Sequence, residues 1–186
     1  MLKLSMKMEG EYMRIEAIII IVIMGIIAFI TFYIIGKYNK LKLSESIIIN
    51  KWNVVNKLIN EKIEVLLKTI AFLKEHIKEE EVTYNDIKII IDNYNKLTNI
   101  NDKINEYSNL EESFDRLYNI VETNSKINSD VEYNMLNEEN NNINNKIEYS
   151  KEFYNNEVNV YNSKTSSFIS NLVVKMFNLN RYNIFR

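Results

Sequence analysis

The chain has one histidine, His76, and any reaction chemistry must start from it. Glu79 and Glu80 follow one helical turn later on nearly the same face, so the trio could offer a nitrogen and two carboxylates to a metal. A catalytic zinc site adds further histidines, and the chain has none. Carboxylates from other helices could complete an iron or manganese site in a bundle. Such sites use two Glu-x-x-His pairs, whereas here the histidine precedes its glutamates. Nucleophilic catalysis lacks a cysteine, a glycine-framed serine and a second base. Loops that cradle phosphate need glycine for close backbone approach, and no glycine lies beyond Gly36. The adjacent carboxylates Glu111-Glu112 and Glu138-Glu139 diverge around a helix and read as solvated faces. We therefore expect no enzyme, no cofactor and no metal. A metal-dependent or hydrolytic enzyme using His76 and nearby glutamates is the alternative.

Tyrosine-asparagine pairs are the other conspicuous chemistry. They begin at 84, 94, 118, 133 and 182, where an AT-rich coding bias towards Ile, Asn, Lys and Tyr accounts for them. The pairs at Tyr154-Asn155 and Tyr161-Asn162 differ, because they lie one heptad apart. On one reading the rings pack in a core while hydroxyls and amides bond nearby groups. On the other they form a polar recognition surface for a partner. Heptad spacing favours the first, since aromatics recurring at that interval usually face a core.

These residues need elements to hold them. Ala17 to Ile35, AIIIIVIMGIIAFITFYII, carries no charge. As a helix it is about 28 Å long, close to the ~30 Å hydrocarbon core. It lacks the short apolar core and small-residue cleavage site of a signal peptide, so it reads as an uncleaved signal anchor. Lys3, Lys7 and Arg14 before the span nearly balance Lys37, Lys40 and Lys42 after it. Lys51 and Lys57 tilt the count towards a cytoplasmic C-terminal domain. Net charge is −2, so no long-range field favours nucleic acid.

Beyond the span three long helices are expected. In the first, Trp52, Ile59, Leu66 and Leu73 recur every seven residues, and the membrane helix can run into it unbroken. Trp52 then stands about 25 Å beyond the span, too far for an interfacial anchor, and reads as core. KEEEV, Lys78 to Val82, is the junction to a second helix, with Thr83 as its cap. That helix carries apolar residues from Ile87 to Val121, with a register slip and a kink expected at Asn99 to Asn101. ETNSKINSD, Glu122 to Asp130, reads as a loop. The third helix spans about 131–164, with its weak point at NNNINN, Asn140 to Asn145, because Asn is a poor helix former. A short fourth piece lies near Ser167–Met176. The tail FNLNRYNIFR is either a frayed terminus or a short docking peptide for a partner or the membrane surface.

The C-terminal third, INNKIEYSKEFYNNEVNVYNSKTSSFISNLVVKMF, resembles the LemA family, whose pattern there runs ENxIxxARxxYNxxVxxYNxxIxxFPxNLVAxxFxF. The matching positions are Asn145, Ile147, Tyr154, Asn155, Val158, Tyr161, Asn162, Phe168, Asn171, Leu172, Val173 and Phe177. Tyr38-Asn39-Lys40-Leu41 is similar to the family's YNxL, and Leu66 to His76 sits where the family has LVETVKGYAxHE. Ile169 replaces the family's usual proline, and its first-helix proline and tyrosine-proline corner have no counterpart. The resemblance implies a bacterial single-pass membrane protein with a helical bundle domain and no established biochemical activity.

The expected architecture is all-α: an N-terminal transmembrane helix, then an antiparallel bundle of three long helices plus a short C-terminal helix. The divisions are a 1–16 tail, a 17–35 span, a 36–176 bundle and a 177–186 tail. The expected function is a membrane-anchored scaffold of the bacterial envelope that binds an unidentified protein partner. Its candidate partner surface is Tyr154, Asn155, Tyr161, Asn162 and Asn171. The other expected partner is the lipid bilayer, through residues 17–35. Homo-oligomerisation, including a membrane-shaping assembly, is a third reading.

Overall fold

Helix-forming residues run without a proline from the first turn to His76, and α1 is one continuous helix, Leu2–His76. The structure is a computed structural model that describes residues 2–77 and 81–186, with side chains from Arg14 onward. Ser44 lies buried within α1. The helices that follow are α2 (Glu81–Lys96), α3 (Ile100–Glu122), α4 (Ser125–Asn128), α5 (Val131–Thr165) and α6 (Phe168–Met176), with no strand among the described residues. The protein is all-α, as its periodicity predicts. Helix α1 is also the one described helix long and apolar enough to cross a membrane, and none of the side chains in its apolar window is buried.

The expected second long helix is two helices. Where a kink was expected, α2 ends at Lys96 and Asn99 caps the start of the next helix: its backbone is extended and its side-chain Oδ1 accepts from the N–H groups of Asn101 (2.8 Å) and Asp102 (3.4 Å). That satisfies donors which the first turn of α3 leaves open. The bundle therefore has four long antiparallel segments rather than three. Helix α2 begins at Glu81, before the expected cap Thr83, and residues 78–80 of the junction lie outside the described residues. The ETNSKINSD loop contains the single turn α4, whose Ile127 is buried. NNNINN stays helical, because burial of Asn140 and Ile143 against the bundle offsets the weak propensity of Asn.

The chain divides into two compact units: residues up to Leu43 with Lys164–Leu179, and Ser44–Ser163 with Asn180–Arg186. In the second, α1 and α3 run parallel, as Lys103 on Asn56 (3.3 Å) and Lys62 over the Phe114 ring (4.0 Å) show. Helix α5 runs against both. Trp52 meets Tyr154 while Lys68 meets Glu139, and Lys151 meets Glu111. Helix α2 folds back on α1, with Lys74 bonded to Asn85. The core between them holds Val55, Ile59, Ile70 and Leu73 from α1, Ile87 and Tyr94 from α2, Leu110, Phe114 and Leu117 from α3, and Ile147, Tyr154, Val158 and Tyr161 from α5.

In the first unit, α6 is capped at its start by Ser167, whose Oγ accepts from the Ser170 N–H. It ends in a turn in which Asn178 adopts φ 48° and the Leu179 N–H donates to the Val174 carbonyl (3.0 Å). Asn tolerates this left-handed position better than most residues, and the turn satisfies a carbonyl that the helix end leaves open. Leu179 and Val174 are both buried beside it.

Candidate functional site

The two Tyr-Asn pairs of α5 hold the chain's own last residues. Tyr161 Oη donates to the carbonyl of Asn180 (2.9 Å), and Tyr154 Oη donates to that of Asn183 (3.1 Å). Asn162 Nδ2 donates to the Tyr182 carbonyl (3.3 Å), and Asn155 Nδ2 to the Phe185 carbonyl (2.9 Å). Asn155 Oδ1 also accepts from the Phe185 N–H at 2.8 Å, so one side-chain amide pairs with both backbone groups of one residue, as a neighbouring strand would. Across the cleft, Asn101 on α3 repeats the device. Its Nδ2 donates to the Arg181 carbonyl and its Oδ1 accepts from the Asn183 N–H, both at 2.8 Å. Asn105 Oδ1 takes the Asn183 side chain at 3.2 Å. Side chains thus bond the carbonyls of Asn180, Arg181, Tyr182, Asn183 and Phe185.

The spacing explains why a heptad does this. Seven helical residues advance about 10.5 Å. Three extended residues advance about 9–10 Å. Tyr161 and Tyr154 therefore meet carbonyls three residues apart, and Asn162 and Asn155 do the same. Burial along the tail has the same period: Leu179, Tyr182 and Phe185 are buried, while Arg181, Asn183 and Ile184 are exposed. A period of three is that of a polyproline II strand rather than of β alternation.

Two subsites receive the buried side chains. Phe185 stacks on Trp52 (centroids 6.1 Å, 17°) and is met edge-on by Tyr107 (5.4 Å) and Tyr154 (5.5 Å). The Lys151 ammonium lies 5.6 Å from the Phe185 ring and 5.0 Å from that of Tyr107, tied to Glu148 (3.0 Å) and Glu111 (3.6 Å). Tyr182 packs edge-on against Tyr161 (5.9 Å), and its hydroxyl donates to the buried carboxylate of Glu45 at 3.0 Å, which also takes the Asn180 amide at 3.3 Å. Burial raises the pKa of Tyr154. Burial and the Glu45 hydrogen bond raise that of Tyr182. The phenols thus remain protonated donors throughout the physiological range. A cavity of about 530 Å³ opens beside the tail, lined by residues that include Asn105, Ser108, Glu111, Asn159 and Asn162.

One further charge lies deeper in the bundle. Lys62 is buried with its ammonium over Phe114. Burial lowers its pKa to about 8, against the opposing pull of Glu111, Asp115 and Glu148.

Of the five residues the sequence singles out, four converge on the tail. Asn171 sits half-buried on α6, in the other unit. The rings of Tyr154 and Tyr161 are core, and their polar ends face the terminal segment. Glu45, Trp52, Asn101, Asn105, Tyr107 and Lys151 complete the cleft; of these, sequence reasoning places Trp52 and Tyr107 in apolar stripes and Asn101 at a kink, and assigns none of the six to a site. His76 lies elsewhere, stacked on Phe72 (4.3 Å) with Nδ1 bonded to that residue's carbonyl (2.8 Å). Glu79 and Glu80 lie outside the described residues.

The LemA family model matches residues 51–186, which takes in α2 to α6, the tail and most of the bundle portion of α1. The chain belongs to the LemA family. No curated protein matches it. The LemA match includes both Tyr-Asn pairs and the terminal segment they hold. In this LemA protein the motif is therefore a backbone clamp with aromatic subsites, and what it can do chemically is grip an extended peptide.

Proposed function

We propose that this LemA protein is a non-catalytic, membrane-anchored scaffold whose bundle binds an extended segment of another protein. The cleft that does so is closed in cis by residues 180–186. One observation supports this above the others: Asn101 and Asn155 each bond both an N–H and a carbonyl of an extended chain through one side-chain amide. Recognition of main chain by fixed amides, with pockets for alternate side chains, is a recurring way to bind peptides. The contacts made to backbone do not depend on side-chain identity, and Arg181 and Ile184 are exposed, while Asn183 adds one side-chain bond to Asn105. Residues 17–35 form the bilayer anchor, and the small lysine excess after the span, from Lys51 and Lys57, favours a cytoplasmic bundle.

The test is a chain ending at Leu179, with its helicity verified, titrated with a labelled peptide of sequence NRYNIFR. Saturable binding that is lost with Phe185→Ala in the peptide, and is much weaker to the full chain, is the expected result. A folded truncated protein that ignores the peptide would refute the reading. A cysteine at Asn124 probed with an impermeant maleimide in intact cells tests the orientation, and labelling there would place the bundle outside.

A further inference from the structure

Helix α6 is apolar on the face it buries and on the face it exposes. Ser170, Val173 and Val174 point inward. On the opposite side Phe168 is 87% exposed, Leu172 48%, Met176 55% and Ile169 38%. At 100° per residue those four fall within a single arc of about 100°. A helix with water on its outer side carries polar residues there. Scattered apolar residues on a surface need no explanation, but four on one arc of a nine-residue helix form a patch.

The position of the patch says what covers it. The Phe177 ring, just past the end of α6, lies 4.6 Å from the Tyr38 ring on α1. Tyr38 is three residues beyond Ile35, which ends the apolar span, so the two levels differ by about 4.5 Å along the helix. That is the depth at which a spanning helix leaves the hydrocarbon for the headgroups. Charge agrees with this placement. Residues 36–43 and 164–179 of the same unit carry Lys37, Lys40, Lys42, Lys164 and Lys175 and no acidic residue, in a chain whose net charge is −2. Lys175 flanks the apolar arc.

We propose that α6 is a membrane-interface helix: its outer face, Phe168, Ile169, Leu172 and Met176, enters the headgroup–acyl boundary of an anionic bilayer beside the span. The inference rests on the reading of residues 17–35 as the bilayer anchor and makes that anchorage bipartite. A single spanning helix leaves a protein free to tilt and to roll about the helix axis. A second apolar element at the boundary fixes which side of α1 faces the lipid surface, with lysines on anionic phosphates adding to the hold.

The chain has no cysteine, so single labels are unambiguous. The full chain is reconstituted into vesicles of phosphatidylcholine with one part in three phosphatidylglycerol, and an environment-sensitive fluorophore is attached to Phe168→Cys or, separately, Leu172→Cys. Phe29→Cys in the span and Asn124→Cys in the bundle are the references. The expected result is blue-shifted emission at 168 and 172, quenched several-fold more by a spin label high on the acyl chain than by one near its end. Phe29→Cys shows the opposite depth order, and Asn124→Cys shows neither effect. Emission at 168 and 172 that matches Asn124→Cys, while Phe29→Cys is quenched, overturns the interface proposal and leaves the anchor standing. Absence of quenching at Phe29→Cys as well removes the anchor and the interface helix together.

Discussion

Asn155→Ala isolates the clamp better than any other substitution. The wild-type side chain makes two hydrogen bonds to Phe185, at 2.9 and 2.8 Å, and the alanine makes neither. Each is worth roughly 0.5–1.5 kcal/mol net, because water offers replacements once the tail lifts away. The docked state should therefore lose about 2 kcal/mol, which is about a 30-fold shift towards the undocked tail. Trypsin reads that equilibrium directly. Arg181 is exposed, but its carbonyl is held by Asn101 at 2.8 Å, so cleavage there requires the tail to open. Cleavage after Arg181 should accelerate about 30-fold in Asn155→Ala, with Asn171→Ala unchanged as the control. Trp52, the sole tryptophan, should redden in emission as Phe185 leaves its face. Asn155→Asp can still accept from the Phe185 N–H but cannot donate to its carbonyl, so it separates the two halves of the bond pair. A wild-type tail cut as fast as the Asn155→Ala tail would refute the reasoning, because the clamp would then hold nothing.

The remaining expectations concern the frame around the cleft. The Tyr94 hydroxyl is buried with no hydrogen-bond partner among the described residues, so Tyr94→Phe should leave stability unchanged or raise it by about 1 kcal/mol in a denaturant titration. Asn99→Ala removes the cap of α3 and should destabilise by about 1 kcal/mol, with faster hydrogen exchange confined to the amides of Asn101 to Lys103. Lys62, lowered to about 8 in the fold and near 10.5 unfolded, releases its proton first from the folded chain, so stability should rise as pH climbs from about 8 towards 10. Above about 10 the trend should reverse, because tyrosines ionise in the unfolded chain while burial keeps Tyr154 and Tyr182 protonated in the fold. Lys62→Met should abolish the rise and leave the reversal.

How much of this could be read from the chain depended on distance. The apolar stripe of α1 and the burial of Trp52 are local signals, carried within a few turns, and both are legible; near Asn99 the register slip is legible only as a kink in one helix, not as the break between two. The heptad of Tyr-Asn pairs was legible as core aromatics with bonded polar ends. What those ends bond was not, because Asn155 meets residues 30 positions away and Asn101 meets residues about 80 away. No periodicity links such partners. The three-residue repeat of Leu179, Tyr182 and Phe185 is in the sequence but is neither a helix nor a strand period, and so it left the tail between a frayed end and a docking peptide. The helical path through Asn140 to Asn145 ran against propensity, since burial of Ile143 outweighs the intrinsic preference of asparagine.

The match between seven helical residues and three extended ones acts as a ruler with two marks. A segment shifted by three residues would find the same amides and hydroxyls waiting, but the ring cage at Trp52 would receive Tyr182, and the strand beyond it would hang free. Only a ligand with aromatic side chains in phase with both marks fills the cleft in a single register. An incoming partner would therefore be recognised less by its composition than by its phase: an aromatic, then two residues of which the first can reach Asn105, and an aromatic again.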